Sequence, residues 1–354
     1  MPWERALHVA LYIYVFMLAG TLWLTEPTMV CTLARTSDGD ERMPAIITHD
    51  TFGQDAYDRL HTAIGTTKDE VEAFLLGNQG PDPMFYSIVD PMLTSVHHLG
   101  NDMHDRLPSE LLFEFHRAAD ELPEADRPIG RAYAMGFLGH YMLDSSMHPL
   151  VYYWEHAICD AGVPGLTRAD SGEVHAVIER EYDELVLTAN RGETVETYNP
   201  SIEILLGSHR MLGIVSRMYT EVALRVYGLE IPINAFEESV LCFRMVQHLY
   251  YSPSGAKIEV LGSLEQLFRH YSIYRAMSHR AVLREYSDFD NHEHSEWQNP
   301  FTGETSIESF WTIYRGASER YDRAMALFCS DGFGIEEARA ITGSINFGGE
   351  PVNE

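Results

Sequence analysis

The fold of this chain is decided by the stretch IGRAYAMGFLGHYMLDSSMHPLVYYWEH, residues 129–156. Apolar residues recur in it at intervals of three and four, which predicts one long amphipathic helix. His140, Asp144 and His148 follow one another at intervals of four, so they lie on one helix face within about 80° of each other. Because the helix is otherwise apolar, this polar stripe is expected to face the interior, where it needs partners.

The polar stripe has two interpretations. Imidazole and carboxylate groups are natural nitrogen and oxygen ligands of zinc, so the stripe could hold metal. Alternatively, its histidines are core residues that hydrogen-bond to neighbouring carboxylates or carbonyls. A second pair, His175 and Glu179, favours the metal, because its i, i+4 spacing places two more ligand types on one helical turn. Such pairs are also common surface contacts.

Further ligand types precede the central helix. His49 lies in THDTFG, residues 48–53, and Asp82 lies in the turn GNQGPDP, residues 77–83, from which its carboxylate could project between helices. An aspartate in such a turn is also a common helix cap. His97, His98 and His104 supply imidazoles a little further along.

The rest of the chain from Met43 onward also has mostly helical periodicity, and alternating strand patterns are scarce. The predicted class is therefore all-α. We expect one domain over residues 43–345, with a metal core in 43–190 and a helical extension in 191–345, followed by a loose, Gly-rich tail in 346–354. The predicted helices cover residues 56–64, 68–76, 109–119, 129–156, 171–189, 202–227, 235–249, 261–285, 306–328 and 336–342.

The first 42 residues form a separate N-terminal segment. Residues 6–24 are an apolar run that is long enough to span a bilayer or to serve as a signal. Either the segment is a genuine anchor or signal, or it is upstream sequence translated in error before a start at Met43. The first interpretation predicts a membrane-anchored or exported protein, and the second a cytoplasmic one.

Charge and cysteine content narrow the function classes. The chain has 53 acidic residues against 25 basic ones, for a formal net charge of −28. Such a chain repels nucleic-acid phosphates and anionic membranes over most of its area, although bound cations would offset this locally. Its four cysteines are scattered without a Cys-x-x-Cys pair, which predicts neither a disulfide framework nor a cysteine zinc site.

The order of these motifs resembles that of the bacterial zinc-dependent phospholipase C family, which is related to the fungal single-strand nucleases. The resemblance covers residues 43 to about 190. It rests on the segments THDTFG (48–53), GNQGPD (77–82), LGNDMH (99–104), GHYMLDSSMHP (139–149) and HAVIE (175–179). The LGNDMH context favours His104 over His97 and His98 as the ligand.

The resemblance implies an all-helical, phospholipase C-like domain with two to three zinc ions between its core helices. The implied ligands are Asp82, His104, His140 and Asp144 for one ion, His148, His175 and Glu179 with water for a second, and His49 with Asp144 for a third. One departure concerns the third ion. Secreted family members complete that site with an N-terminal tryptophan, and nothing comparable precedes His49 here.

The implied activity is hydrolysis of a phosphate ester, with phospholipase C-type cleavage of a phosphodiester by metal-bound water as the first expectation. Asp82 would orient or deprotonate that water. Three protein ligands plus water are typical of catalytic zinc, which lowers the pKa of the water to about 7.

The expected partner is a small phosphoester or a phospholipid headgroup, and not a nucleic-acid polymer. The aromatic residues near the site could enclose a quaternary ammonium headgroup, or they could belong to the core: Phe85, Tyr86, Tyr141, Tyr152, Tyr153 and Trp154. Three alternatives stay open: a phosphohydrolase of soluble nucleotides or sugar phosphates, a non-catalytic helical protein stabilised by its metals, and a metal-dependent hydrolase built on the adjacent pair His49-Asp50. Membrane contact and oligomeric state are left open.

Overall fold

The described part of the chain comprises residues 45–89, 93, 96, 98–267 and 270–354 of a computed structural model. Of residues 88 and 89 only the backbone is described. The predicted N-terminal segment 1–42, the alternative start at Met43 and the candidate ligand His97 lie outside these residues. Within them, the structure has no helix whose length and apolar character would let it cross a membrane.

The all-α prediction is confirmed, since the described residues are mostly helical. Their only paired strands are two residues long, β1 Trp297–Gln298 and β2 Thr305–Ser306, and pair antiparallel with Trp297 opposite Ser306. The α-helices are, in chain order, α1 Ile46–Ile64, α2 Lys68–Gly77, α3 Leu99–Asp105, α4 Pro108–Glu121, α5 Arg127–Cys159, α6 Ser171–Arg191, α7 Pro200–Glu203, α8 His209–Tyr227, α9 Ala235–Tyr250, α10 Ala256–Glu265, α11 Ile273–Met277, α12 Phe310–Phe328 and α13 Ile335–Thr342. Short 3-10 helices cover Asp82–Val89 and Arg168–Asp170.

Helix α5 is the axis of the fold. Helices α1, α2, α4, α6, α8 and α12 all pack against it, so it is covered on most sides. This explains its nearly continuous apolar sequence, because a helix that is surrounded by other helices buries most of its faces. Phe137, Leu138 and Tyr141 are fully buried, and the polar stripe of α5 is buried with them.

Helices α2 and α5 cross with their backbones almost in contact. A Cβ atom on Gly77 would lie 2.3 Å from the carbonyl oxygen of Tyr133, and one on Gly136 would lie 2.1 Å from the carbonyl oxygen of Phe74. Only glycine fits at such a crossing. The close approach brings the turn after α2, which contains Asp82, directly against the middle of α5.

Helix α1 is positioned by a carboxylate from α6. The backbone N–H groups of Ile47 and Thr48 donate to Asp183 at 3.1 and 2.7 Å, and the Thr48 hydroxyl donates to it at 2.7 Å. Asp183 is 1% exposed and replaces a local cap, since Ala45 at the N-cap position has no side-chain acceptor. Helix α6 therefore sets the position of the helix that carries His49.

The predicted helix boundaries are wrong at several places. The predicted helix 56–64 begins at Ile46 instead, so His49 lies on a helix. The predicted helix 202–227 is divided into α7 and α8, because the hydroxyl of Ser208 accepts the N–H of Met211 and caps a new helix. The predicted start at 306 moves to Phe310, with Ser309 as the cap.

The predicted helix 261–285 is also wrong. Helices α10 and α11 take part of that region, and the residues after Met277 leave the helical conformation. Arg280 and Arg284 in this segment pair with the buried Glu184 of α6, and the Nε of Arg284 lies 2.6 Å from its carboxylate. Ion pairs to a distant helix therefore override the local periodicity.

The expectation of a loose tail after Asn346 is wrong as well. Phe347 is completely buried, and the N–H of Val352 donates to the carbonyl of Ser344 at 2.8 Å. The carboxylate of Glu354 accepts the backbone N–H of Ser109 at 2.8 Å. Gly-rich composition suggested mobility, but the glycines let this segment approach α5 closely.

The helix crossing yields a test of stability. We expect Gly136→Ala to lower the free energy of unfolding by about 1–3 kcal/mol, because the new methyl group forces the two backbones apart. Gly213→Ala is the matched control: it is also inside a helix, but a Cβ there meets nothing within 4 Å. The control should leave stability unchanged or raise it by up to about 1 kcal/mol. Urea denaturation would measure the free energy of unfolding of both variants. Equal values for the two variants would contradict the close backbone contact between α2 and α5.

Candidate metal centre

All eight predicted ligands come together in the interior, next to α5. Each is at most 6% exposed. Within the described residues they form three groups, and the ligand atoms of each group lie within 4.8 Å of one another: His49, Asp82 and His140; His104, His140 and Asp144; and His148, His175 and Glu179. The first two groups share His140. These buried clusters could hold metal ions.

We call Asp82, His104, His140 and Asp144 the first cluster. These residues come from three separate elements. Asp82 begins the 3-10 helix after α2, and its Oδ1 lies 3.1 Å from Nε2 of His104 on α3. Nε2 of His140 on α5 lies 3.7 Å from the same oxygen and 3.2 Å from Oδ2 of Asp144. The four residues that the resemblance assigns to one ion are thus brought together. Asp82 therefore lies in this cluster and also begins a 3-10 helix.

Asp144 lies between the groups. Its Oδ1 is 2.9 Å from Nε2 of His49, and its Oδ2 faces His140 and lies 3.8 Å from Nδ1 of His148. The rings of His49 and His140 lie 4.4 Å apart. The two carboxylate oxygens of Asp144 therefore face different histidines, which is the geometry that a bridging ligand requires.

The second cluster is formed by α5 and α6. Nε2 of His148 and Nε2 of His175 each lie 3.4 Å from Oε1 of Glu179. The i, i+4 spacing of His175 and Glu179 on α6 aims both side chains at α5, where His148 completes the group. The alternative of a surface pair is excluded, because all three residues are buried.

In three of the histidines, a hydrogen bond made by Nδ1 decides that Nε2 faces the cluster. Nδ1 of His104 donates to the carbonyl of Gly100 at 2.7 Å, and Nδ1 of His148 donates to that of Phe347 at 2.8 Å. Nδ1 of His175 donates to the carboxylate of Glu155 at 3.0 Å. An acceptor at Nδ1 keeps the proton there, so the lone pair of Nε2 is free to bind a cation.

Several buried polar atoms support a cation at these clusters. Among the described residues, Nε2 of His140, Nε2 of His175 and Oε2 of Glu179 are buried without any hydrogen bond. A buried polar group left unpaired costs about 1–3 kcal/mol, so folded proteins rarely contain one. The donor set fits a metal, whereas histidines satisfied within the core would have no such orphaned atoms.

The electrostatics of the site also favour positive charge. Burial alone would raise the pKa of Asp144, but the imidazoles of His140, His148 and His49 hold that pKa well below its usual range. Burial alone would lower the pKa of His175, but the carboxylates of Glu179 and Glu155 raise it to about 10. A field that holds a proton on an imidazole also stabilises a bound divalent cation.

Some functional residues were missed from the sequence. Glu155 is 6% exposed and orients His175, and its position seven residues after His148 on α5 was the available signal. Gly80 has a φ of +51°, and a Cβ there would lie 2.2 Å from the ring of His140. Phe347 accepts the hydrogen bond of His148, but it lies far along the chain, and no motif near it indicates this contact.

Other candidates do not join the clusters. His98 is exposed, whereas His104 belongs to one of the groups, and His97 lies outside the described residues. Asp50 accepts a hydrogen bond from Gln54, and burial raises its pKa to about 7. Asp50 belongs to none of the ligand groups among the described residues, so the geometry lends the third alternative, the adjacent pair His49-Asp50, no support.

A cleft reaches the centre between the two clusters. Its cavity volume is about 20 Å³. Four predicted ligands line it together with mostly apolar side chains: His49, Asp144, His148 and Glu179 beside Ala45, Thr48, Leu143, Met147, Val151, Tyr182 and Phe310. That volume is enough for about one water molecule, and it is well below the roughly 300–1,000 Å³ that is usual for ligand sites.

No protein-family model, curated protein or solved structure matches this chain. The resemblance to the zinc-dependent phospholipases C therefore stays a prediction that rests on the motifs. The grouping of the eight side chains does not depend on it.

Metal content provides the direct test of the clusters. We expect the purified protein to bind two to three zinc ions per chain, and Asp144→Ala and His148→Ala each to bind fewer, because each removes a ligand. Elemental analysis after dialysis would measure this, with the exposed His98→Ala as control. Full metal content in both ligand variants would rule out the assignment.

Glu155 provides a subtler test. We expect Glu155→Gln to weaken zinc binding by about 10–100-fold, because outer partners fix the orientation and basicity of a metal-bound histidine. Competition with a coloured chelator would measure the affinity. The surface variant Glu124→Gln serves as the control for removing one acidic charge. An affinity unchanged in Glu155→Gln would show that His175 needs no such support.

Proposed function

We propose that this protein is a zinc-dependent hydrolase of phosphate esters. The observation that carries the proposal is the convergence of eight buried histidine and carboxylate side chains in adjacent clusters around Asp144. Their order along the chain resembles that of the zinc-dependent phospholipases C.

The donor set supports zinc as the metal. All candidate ligands are imidazole nitrogens or carboxylate oxygens, and His148, His175 and Glu179 form a His₂Glu set. Zinc readily takes two histidines and one glutamate in catalytic sites, whereas magnesium and calcium prefer oxygen ligands alone. Identity of the ion would be read from the same elemental analysis that counts it.

Open coordination positions support catalysis. Three protein ligands leave one position of a tetrahedral zinc vacant, and the cleft reaches this cluster at His148 and Glu179. When bound, zinc supplies a Lewis acid for a phosphoryl oxygen and lowers the pKa of water to about 7. Neighbouring metal clusters suit phosphoryl transfer, in which two metals stabilise the attacking and leaving oxygens.

The chain's own carboxylates would hold and orient these groups. Asp144 faces His49 on one side and His140 on the other, and it lines the cleft. Glu179 also lines the cleft, with Oε2 unpaired. The catalytic role of Asp82 stays a prediction, since Asp82 is 3% exposed and does not line the cleft.

The surroundings of the cleft favour a small substrate. The cleft is too small for a folded polymer, and a net charge of −28 would repel nucleic acid. Of the predicted aromatic enclosure, Tyr86 and Tyr141 are buried in the core. The ring of Tyr152 lies 5.8 Å from that of His148, so it remains a candidate contact for the leaving group.

Substrate assays test the proposal. We expect the zinc-loaded protein to hydrolyse at least one phosphoester in a panel of phosphatidylcholine, nucleotides and sugar phosphates. Chelation and Asp144→Ala should each reduce turnover to background, because both remove the centre. Turnover of phosphatidylcholine alone would identify a phospholipase, and turnover of soluble esters alone would identify the alternative phosphohydrolase. Absence of turnover in fully loaded protein would contradict the proposal.

The burial of the clusters favours one competing function, a metal-stabilised protein without catalysis. All eight ligands are at most 6% exposed, as structural metal sites often are. Graded chelation followed by circular dichroism separates the two. A catalytic centre loses activity while most helicity remains, whereas a structural centre loses helicity with its metal.

A further inference from the structure

The chain after α13 forms a tight turn that reaches the metal centre. The N–H of Asn346 donates to the carbonyl of Glu350 at 2.9 Å, and the N–H of Gly349 donates back to Asn346 at 3.0 Å. The N–H of Val352 closes the turn onto Ser344. We refer to residues 344–352 as the closing turn. Phe347 lies at its tip.

The backbone of Phe347 bonds to ligand residues of both clusters. Its carbonyl accepts from Nδ1 of His148 at 2.8 Å. Its N–H donates to the backbone carbonyl of His104 at 3.1 Å. One peptide segment therefore joins a residue of the first cluster to a residue of the second.

The side chain of Phe347 seals the same region. It is completely buried, and its ring centroid lies 5.2 Å from that of His104 and 5.6 Å from that of His140. The ring also contacts Tyr141 and Phe137 of α5. Removing the closing turn would therefore expose three metal-ligand histidines or their neighbours to water.

Contacts on either side of Phe347 hold the turn in place. The hydroxyl of Tyr141 donates to the carbonyl of Ile345 at 2.8 Å. Gly349 has a φ of +79°, and a Cβ there would lie 2.5 Å from the ring of Pro149, the residue after His148. The turn is thus fitted to α5 at the metal ligand itself.

We propose that the closing turn is a positioning element of the metal centre and that its docking is coupled to metal binding. The carbonyl of Phe347 can only accept a hydrogen bond, so it keeps the proton on Nδ1 of His148 and leaves the lone pair of Nε2 facing Glu179. The ring holds His104 and His140 from the other side. This proposal rests on the metal centre of the proposed function, and not on the reaction.

Coupling of this kind is reciprocal. If the docked turn strengthens metal binding by some factor, then the metal strengthens docking by the same factor. Both directions can be measured without a substrate. Failure of the coupling is therefore distinguishable from failure of the proposed hydrolysis.

The first experiment measures zinc affinity by chelator competition. We expect Phe347→Ala to bind zinc about 10–100-fold more weakly than the natural protein, and Phe347→Leu to recover part of the loss, because it restores apolar burial. Phe333→Ala is the matched control: it also removes a buried ring, which packs on His116 and Phe328 away from the clusters. Equal zinc affinity in the Phe347→Ala and Phe333→Ala variants would overturn the proposal.

Cobalt gives a readout that general destabilisation would not move. With Co²⁺ in place of zinc, we expect the visible absorption bands to shift in Phe347→Ala and to stay unchanged in Phe333→Ala, because only the former removes the ring that packs on His104 and His140. Unchanged bands in both variants would count against a positioning role.

Hydrogen exchange on the unmodified full chain decides the matter even if a variant does not fold. We expect zinc to slow exchange of the Phe347, Gly349, Glu350 and Val352 amides relative to amides of α8. Zinc that binds without protecting the closing turn would overturn the proposal while leaving the proposed hydrolysis intact. Protection of the turn together with absence of hydrolysis would support the closing turn as a positioning element and contradict the proposed hydrolysis.

Discussion

The structure depends on one buried negative charge, the carboxylate of Asp144 in the middle of α5. A carboxylate that is 4% exposed is tolerated only when positive charge surrounds it, and here imidazoles from α1 and α5 do so. These imidazoles are themselves buried, so protonating them costs free energy, because burial disfavours the charged form. Bound cations would resolve the problem for all of these groups at once, which would account for so many polar side chains inside an otherwise apolar helical core.

The surrounding helices meet this constraint by backbone contacts. The glycine crossing of α2 and α5 brings the turn with Asp82 against His140, and Asp183 of α6 holds the first turn of α1, just before His49. Helix α6 carries His175, Glu179 and Asp183 at intervals of four. One face of this helix therefore supplies two residues of the second cluster and also positions His49.

Much of this could be predicted from the sequence, because the signals were local. Candidate ligands spaced four residues apart on α5 and on α6 indicate a shared helix face. The helical periodicity predicted the fold class. The residues missed are those whose roles depend on distant contacts. Arg284 leaves a helical pattern because it pairs with Glu184, and Phe347 becomes buried because its backbone meets His148 and His104. No window of sequence contains both partners of such contacts.

The position of Phe347 along the chain has a consequence for the order of assembly. Synthesis proceeds from the N-terminus, so every ligand from His49 to Glu179 is made before the segment that covers them. Contacts between partners so distant in sequence form late, because closing a long loop costs entropy before the contact repays it. A nascent chain can therefore gather its ligand-bearing helices while the centre is still open to ions from solution. Burial of the centre by Phe347 would then come late in assembly, which would leave any cation that the clusters take up time to enter first.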